Sequence, residues 1–389
     1  MMNFFWRAGV FAATMCVFVY PAVGQSDLRP GFDGAEYREL LRIGDANFFG
    51  DTAADRGGVD SGGRLKGRPE QDGGRPRIGR PEQYVFRYRS AEVGLRNRWE
   101  MWMRKDRRVA VIAIRGTVGD PVSWLENFYA AQVPATGSLQ LSDSVRFDYQ
   151  LSSDAKAMVH VGWLVGAGYL APSIVQQVRK AYGEGVHAFI VFGHSQGGAL
   201  AFLIRSYLYY LQQQGKLPAD IAIKTYCSAA PKPGNTYYAY DYDFITRGGW
   251  GLTVVNAADW VPETPFSLQT SQDINPVNPF ANIDRALKKQ SWMKRLYIKG
   301  KYNKLRRRAR RATRAYRQVL GDLVYSQVRK TLSGLRPPVY AEVMNYQRAG
   351  TPVVLEPDSV YYRIFPNDPT QVFQHHGFDA YDWLTARYY

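Results

Sequence analysis

Cysteine is nearly absent from this chain: 389 residues hold two, Cys16 and Cys227, so no disulfide framework braces it and its stability has to come from a buried core. Histidine is almost as scarce, with five. No Cys/His/Asp cluster has metal-ligand spacing and no G-x-G-x-x-G follows a strand, so neither a metal nor a dinucleotide cofactor is expected. Long apolar runs are missing too, apart from Ala8 to Tyr20, which follows Arg7 and precedes Pro21, Ala22 and Gly24. That run is shorter than the ~20 residues needed to cross a bilayer. It reads as a secretory signal over residues 1–24, cleaved near Gly24, which makes the mature protein secreted or periplasmic. An uncleaved anchor, or lipid attachment at Cys16, fits the run less well.

Acid is missing from one stretch. Between Arg285 and Lys330, 17 lysines and arginines face a single acid, Asp322, which equals the formal net charge of +16 for the whole chain. The remainder is electrically balanced, so a local basic element sits on a neutral body. Leu305, Ala309, Ala312, Tyr316, Val319, Leu320, Leu323 and Val324 recur within it at helical spacing, with Arg306, Arg307, Arg308, Arg310, Arg311, Arg314 and Arg317 on the other faces. One or two amphipathic helices are expected, closed by Pro337 and Pro338.

Elsewhere strand and helix patterns alternate. A short helix is expected over Tyr37–Ile43, then an extended Gly/Arg/Asp-rich loop from Gly50 to Arg80. Strands are expected at Tyr84–Tyr88, Arg98–Met103 and Val109–Ile114, the last apolar throughout as in a strand buried on both faces. Helices follow at His160–Leu170 and Pro172–Tyr182, then strands at Ala188–Phe192, Ile223–Ala229 and Leu252–Asn256. Strands alternating with helices imply βαβ units, hence an α/β domain with a mostly parallel sheet and active residues past the carboxyl ends of its strands.

The segment Gly193-His194-Ser195-Gln196-Gly197-Gly198 lies between an apolar strand and an apolar helix. A strand–G-x-S-x-G–helix order is the nucleophile elbow, in which glycines permit a strained turn and the following helix N-terminus faces developing negative charge. A serine hydroxyl needs an imidazole base and a carboxylate to orient it. His160, His187 and His194 precede Ser195, which leaves His375 and His376 as the bases in the α/β-hydrolase order. For the acid, Asp259 follows the strand that ends at Asn256, whereas Asp241 and Asp243 fall in a Tyr-rich loop before that strand.

These residues, with others along the chain, resemble the class 3 lipases, the fungal-lipase-like branch of the α/β-hydrolases, from about Arg87 to the C-terminus. Ile114-Arg115-Gly116-Thr117 is similar to the family's R-G-T strand end, and Ser123-Trp124-Leu125-Glu126-Asn127 to its D-W-L element. Val159 to Trp163 is similar to V-H-x-G-F, Gly193 to Gly198 to G-H-S-x-G-G, and Ala229 to Asn235 to G-x-P-R-x-G-N. Val254 to Pro262 matches V-V-N-x-x-D-x-V-P, and His376 to Tyr381 matches H-x-x-x-x-Y. The resemblance implies Ser195 as nucleophile, Asp259 as acid and His376 as base, with His375 second. It implies an oxyanion hole from the backbone N–H groups of Thr117 and Gln196, with the Thr117 hydroxyl as an additional donor. His160 and His194 are then expected to pack and hydrogen-bond around the elbow. The implied activity is hydrolysis of lipid carboxylic esters, such as acylglycerols, without a cofactor.

The chain departs from the family in three places. Leucine is more usual at position 196. The acid and the base are further apart than in the family, so residues 282–338 read as a basic helical insertion within one catalytic domain, 25–389. Tyr129 to Asp154, where such lipases carry a lid, is polar and lacks an amphipathic helix. The insertion fits a solvated helical face, contact with an anionic membrane through residues 285–330, or binding of nucleic acid or another polyanion; export disfavours nucleic acid, and Trp292, Tyr297, Tyr302 and Tyr316 among the cations fit a membrane interface. Two rival functions follow: a phospholipase on anionic membranes, and a non-enzymatic lipid-surface binder on a hydrolase scaffold. Nothing in the sequence fixes an oligomeric state.

Overall fold

The structure is a computed structural model that describes residues 27–49, 78–271, 273–280, 283 and 287–389. The signal expected over residues 1–24, Cys16, and residues 50–77 of the expected loop lie outside the described residues. In chain order, α1 spans Gly34–Phe49, β1 Tyr84–Arg89, β2 Trp99–Arg104, β3 Val109–Ile114 and α2 Pro121–Phe128. Short strands β4 Gln132–Pro134, β5 Thr136–Gln140, β6 Arg146–Gln150 and β7 Met158–His160 lead to α3 Val161–Gly183, β8 Ala188–His194 and α4 Gln196–Gln213. Then come β9 Ala222–Ser228, α5 Thr236–Ile245, β10 Gly251–Asn256, α6 Trp292–Arg317, α7 Val324–Thr331, β11 Thr351–Leu355, α8 Ser359–Ile364 and α9 Phe378–Tyr388.

Seven strands form the main sheet in the order β1-β2-β3-β8-β9-β10-β11. The first two pairings are antiparallel, and every pairing from β3 onward is parallel. Strand β3 shows how the sequence builds the layers. Ala110, Ile112 and Ile114 enter a core shared with α3, α4 and α5, while Val109, Val111 and Ala113 enter a second core shared with α1, α8 and α9. Side chains alternate faces along a strand, so an unbroken apolar run is required wherever helices cover both sides. This sheet, parallel for most of its width and covered by helices on both faces, is the α/β-hydrolase fold that the sequence implied.

Several expectations are corrected in detail. The two helices foreseen around residue 171 are one, α3, which runs through Pro172. Proline interrupts a helix by removing one N–H and crowding the preceding turn; here Leu170, Ala171, Ile174 and Val178 are all buried in the core, which holds the helix together across the break. Asp241 and Asp243 lie on helix α5, not in a loop. Its start is set by Asn235, whose side chain accepts from the Tyr238 N–H. Asp241 accepts from Tyr210 and Ser153, and Asp243 from the Gly350 N–H.

The basic stretch is helical, but its foreseen apolar face is not buried. Between α6 and α7, residues Gln318–Leu323 form a π-turn, and the inward side of the element is drawn by Thr313, Gly321 and Val328, with Leu305, Val319 and Leu323 66%, 51% and 59% exposed. A π-turn inserts one residue into the helical ladder and rotates the phase of everything beyond it. Gly321 sits where a Cβ would press on Ala131 and Tyr340, and the Ala131 N–H donates to the Leu320 carbonyl. The later half of the element is therefore seated in the body, while α6 has only Thr313 buried. No described helix is long and apolar enough to cross a membrane.

Candidate active site

Ser195 occupies the turn between β8 and α4 with φ 61° and ψ −130°. A non-glycine residue in that region stores about 1–3 kcal/mol of strain and survives only where its surroundings force it. The surroundings here are close backbone contacts. A Cβ on Gly193 would strike the carbonyl of Gly197, and one on Gly197 would strike the carbonyl of Ile114 at the end of β3. The Ser195 N–H is tied across to the Ser228 carbonyl of β9 at 2.9 Å. The side chain is thus presented at the carboxyl edge of the sheet, with the N-terminus of α4 beneath it.

Asp259 lies in the turn after β10 and is 2% exposed. Its Oδ1 accepts from the Val261 N–H at 3.0 Å, and its Oδ2 accepts from His376 Nδ1 at 2.7 Å and from the Tyr381 hydroxyl at 2.8 Å. With Nδ1 donating to the carboxylate, a neutral His376 keeps Nε2 as its proton-accepting nitrogen. Burial holds the Tyr381 phenol far above its usual range, so it stays a donor. Both ring nitrogens of His375 are engaged elsewhere, by the Tyr361 hydroxyl and by Asn367 Oδ1, each at 2.9 Å. Of the neighbouring pair, His376 is the one joined to the acid.

The other two histidines near the elbow are structural. His194 Nδ1 pairs with Ser228 Oγ at 2.9 Å, and its Nε2 pairs with the His376 carbonyl at 2.7 Å. Because a carbonyl only accepts, Nε2 carries the proton, and burial keeps this ring neutral, well below the usual histidine range. It therefore fixes the backbone of His376. His160 caps α3 by accepting the Trp163 N–H at Nδ1, and burial pushes it down to about 3. Neither ring is available as the base.

Thr117 follows β3 beside the elbow. Its backbone N–H and that of Gln196 have no hydrogen-bond partner among the described residues, as an anion-binding pair requires. The Thr117 hydroxyl is committed elsewhere: it donates to Gln196 Oε1 at 2.6 Å and accepts from Asn127 Nδ2 at 2.8 Å. Asn127 is in turn set by Trp163 Nε1 at 3.1 Å. Behind this group lies Glu126, fully buried, bonded to Asn97 and adjoining Gln196; burial raises its carboxyl to about 8. Sequence reasoning missed Asn97, Glu126 and the side-chain roles of Asn127 and Gln196. Polar residues inside an amphipathic helix pattern carry no periodicity signal, and only the departure from leucine at position 196 marked the place.

Ser195, Gln196, Thr117 and His376 line one cavity of about 890 Å³. Trp124, Phe128, Trp260, Phe266 and Phe373 line it as well, and Phe128, Trp260, Phe266 and Phe373 remain exposed. That combination of an apolar wall and a few convergent polar groups suits a largely apolar ligand. No hydrogen bond joins the Ser195 hydroxyl to the His376 ring in this structure. The stretch from Tyr129 to Asp154, where a lid was looked for, instead forms the β5–β6 hairpin, with Leu139, Phe147 and Tyr149 buried against α3 and α4; only its Ala130 reaches the cavity. Among the described residues no cluster of His, Cys, Asp or Glu could hold a metal ion.

Part of the chain is similar to a known family. The family model described as lipase (class 3) matches residues 111–269, a span that holds Thr117, Ser195 and Asp259 but ends before His376. Among solved structures, the Rhizomucor miehei lipase propeptide complex is similar at 18% identity and a TM-score of 0.41, covering 61% of this chain and 65% of that one, less than two thirds of its length. A triacylglycerol lipase from Penicillium expansum is similar at 16% identity and a TM-score of 0.38, covering 60% of this chain and 75% of that one. Lipase II from Rhizopus niveus reaches 19% identity and a TM-score of 0.38, covering 60% and 74%. No curated protein matches the chain. Over residues 111–269, which hold Thr117, the elbow at Ser195 and Asp259 in that order, the chain is similar to the class 3 lipases.

Proposed function

We propose that the chain is a carboxylic ester hydrolase acting on lipid esters, with Ser195, His376 and Asp259 as its catalytic triad. The observation that supports this most is the bond from His376 Nδ1 to Asp259 Oδ2, which leaves Nε2 to serve a serine in the same cavity. Ser195 Oγ attacks the acyl carbonyl while His376 Nε2 takes its proton; the bond from carbonyl carbon to Oγ forms and the carbonyl π pair moves onto oxygen. The oxyanion accepts from the N–H groups of Thr117 and Gln196, each worth about 3 kcal/mol by the cost of deleting such donors elsewhere. The tetrahedral species expels the alcohol, which receives the proton from His376. Water, deprotonated by His376, then attacks the acyl-enzyme and releases the acid. The gap between Ser195 and His376 closes as substrate fills the cavity, since such bonds tighten in the reacting complex. The exposed aromatic rim favours long acyl chains.

Residues 1–24 export the protein, a reading supported by the Arg7-led apolar run. The basic element brings the enzyme to an anionic membrane, which makes phospholipid esters the second substrate reading. On the side of α6 opposite Thr313, Met293, Tyr297, Lys301, Lys304, Arg308 and Arg311 succeed one another and are exposed. Lys301, Lys304, Arg308 and Arg311 form no ion pair among the described residues. Each such cation near an anionic leaflet contributes about 1 kcal/mol.

Labelling with a fluorophosphonate probe, with Ser195→Ala as the blank, tests the chemistry; a p-nitrophenyl ester chain-length series then reads the acyl preference. If Ser195 stays unlabelled and the substitution alters nothing, the chain is a lipid-surface binder on a hydrolase scaffold. Cosedimentation with phosphatidylcholine vesicles, with and without phosphatidylglycerol, tests the surface. Charge reversal at Lys301, Lys304, Arg308 and Arg311 should abolish the difference between the two vesicle types.

A further inference from the structure

We infer that Gln196 is a positioning residue whose side chain accepts the hydrogen bond of the Thr117 hydroxyl and braces the oxyanion loop, leaving the oxyanion to two backbone N–H groups. The inference rests on the ester hydrolase reading of the same site and goes beyond it in the division of labour between Gln196 and Thr117.

Three observations carry it. Thr117 Oγ1 has a complete set of partners without substrate: its proton goes to Gln196 Oε1 at 2.6 Å, and it receives one from Asn127 Nδ2 at 2.8 Å. A hydroxyl has one hydrogen, so the one given to Gln196 cannot also reach an oxyanion. Second, the Gln196 side chain is buried. The residue is 2% exposed, and its carboxamide oxygen faces Thr117. Beside it lies Glu126, fully buried and bonded to Asn97. Third, the elbow fixes the Gln196 backbone independently of its side chain, through the contacts at Gly193 and Gly197. The residue therefore has two separable duties: its N–H faces the oxyanion because of the elbow, and its side chain sets the neighbouring strand end. A leucine at 196 would keep the first duty and lose the second.

The pair makes a double-mutant cycle decisive. Thr117→Val removes the hydroxyl at constant shape, Gln196→Met removes its acceptor at similar volume, and Thr117→Ser retains the hydroxyl as a rescue. Each of the first two should lower kcat on a soluble p-nitrophenyl ester about five- to tenfold, the effect of one neutral hydrogen bond, with KM little changed. The double variant should be no slower than the slower single, and Thr117→Ser should stay near wild type. The inference is overturned if the two losses multiply. It is overturned equally if Gln196→Met speeds turnover while Thr117→Val slows it a hundredfold or more, because the hydroxyl would then be a direct oxyanion donor. Thermal unfolding of the same four proteins reads the brace without turnover. Losses in Tm that fail to add show the coupling even if the wild type hydrolyses no ester, whereas additive losses there remove the brace. Failure of the ester hydrolase reading is seen separately, as an unlabelled Ser195.

Discussion

Replacing Glu126 with glutamine should stabilise the protein in mildly alkaline solution and leave it unchanged in acid. Glu126 is fully buried, and its polar neighbours, Asn97, which donates to it, and Gln196, are neutral amides. Burial outweighs them and lifts the carboxyl from 4.5 to about 8. In the unfolded chain the group gives up its proton near 4.5, and in the folded chain it keeps it until about 8. Between those limits the folded state binds more protons, so stability falls as pH rises; the contribution is complete below the unfolded value and gone above the folded one. The slope is about 1.4 kcal/mol per pH unit, and across the whole window the loss is at most about 4–5 kcal/mol. Glutamine has no proton to lose and keeps the shape. Urea unfolding of both proteins from about pH 3.5 to 9 should therefore give curves that coincide below about pH 4.5, diverge with that slope and run parallel above about pH 8. Parallel curves throughout, or a variant weaker than wild type at about pH 8, would refute the idea that this carboxyl is held neutral by burial.

Three further outcomes are expected. His376→Ala should reduce kcat to the residual level of a site without its base, whereas His375→Ala, which loses bonds to Tyr361 and Asn367, should retain most turnover; steady-state assays on one ester compare them directly. Asp259→Asn should cost roughly 10⁴ in kcat by leaving the imidazole in the wrong tautomer, a loss read from burst and steady-state phases with a chromogenic ester. Tyr381→Phe deletes one of the bonds to the Asp259 carboxylate and should lower kcat about ten- to hundredfold, since a hydrogen bond to a charged group is worth about 1.5–3 kcal/mol.

The main sheet and the site were legible wherever local chemistry dictates geometry. The Val109–Ile114 run, apolar at every position, required cover on both faces, and the glycines around Ser195 announced backbone contacts that no other residue permits. The same locality explains what was not legible. Pro172 reads as a break, and only the burial of residues on either side keeps α3 whole. Asn235 was a helix cap in plain view, yet the Tyr-rich sequence after it resembles a loop when helical spacing is sought in aliphatic residues alone. The preference for His376 over His375 came from the spacing to Tyr381, which meets Asp259 as His376 does, whereas the bonds that occupy His375, to Tyr361 and Asn367 at 14 and 8 positions away, follow from no spacing rule. Burial of Glu126 is a tertiary fact, set by how α2 meets α3, and a glutamate inside an amphipathic pattern looks like any solvated one.

The π-turn at Gln318–Leu323 separates two jobs that a regular helix would have fused. In an unbroken helix the 3.6-residue period carries the stripe that packs on the body in one phase from end to end. With an extra residue absorbed in the joint, α6 can exchange arginine for lysine, or shed cations altogether, without altering which side chains at Gly321 and Val328 meet the body. On the proposed reading of α6 as a surface-binding element, its electrostatic attraction is a quantity that substitution can tune along one helix without touching the sheet edge.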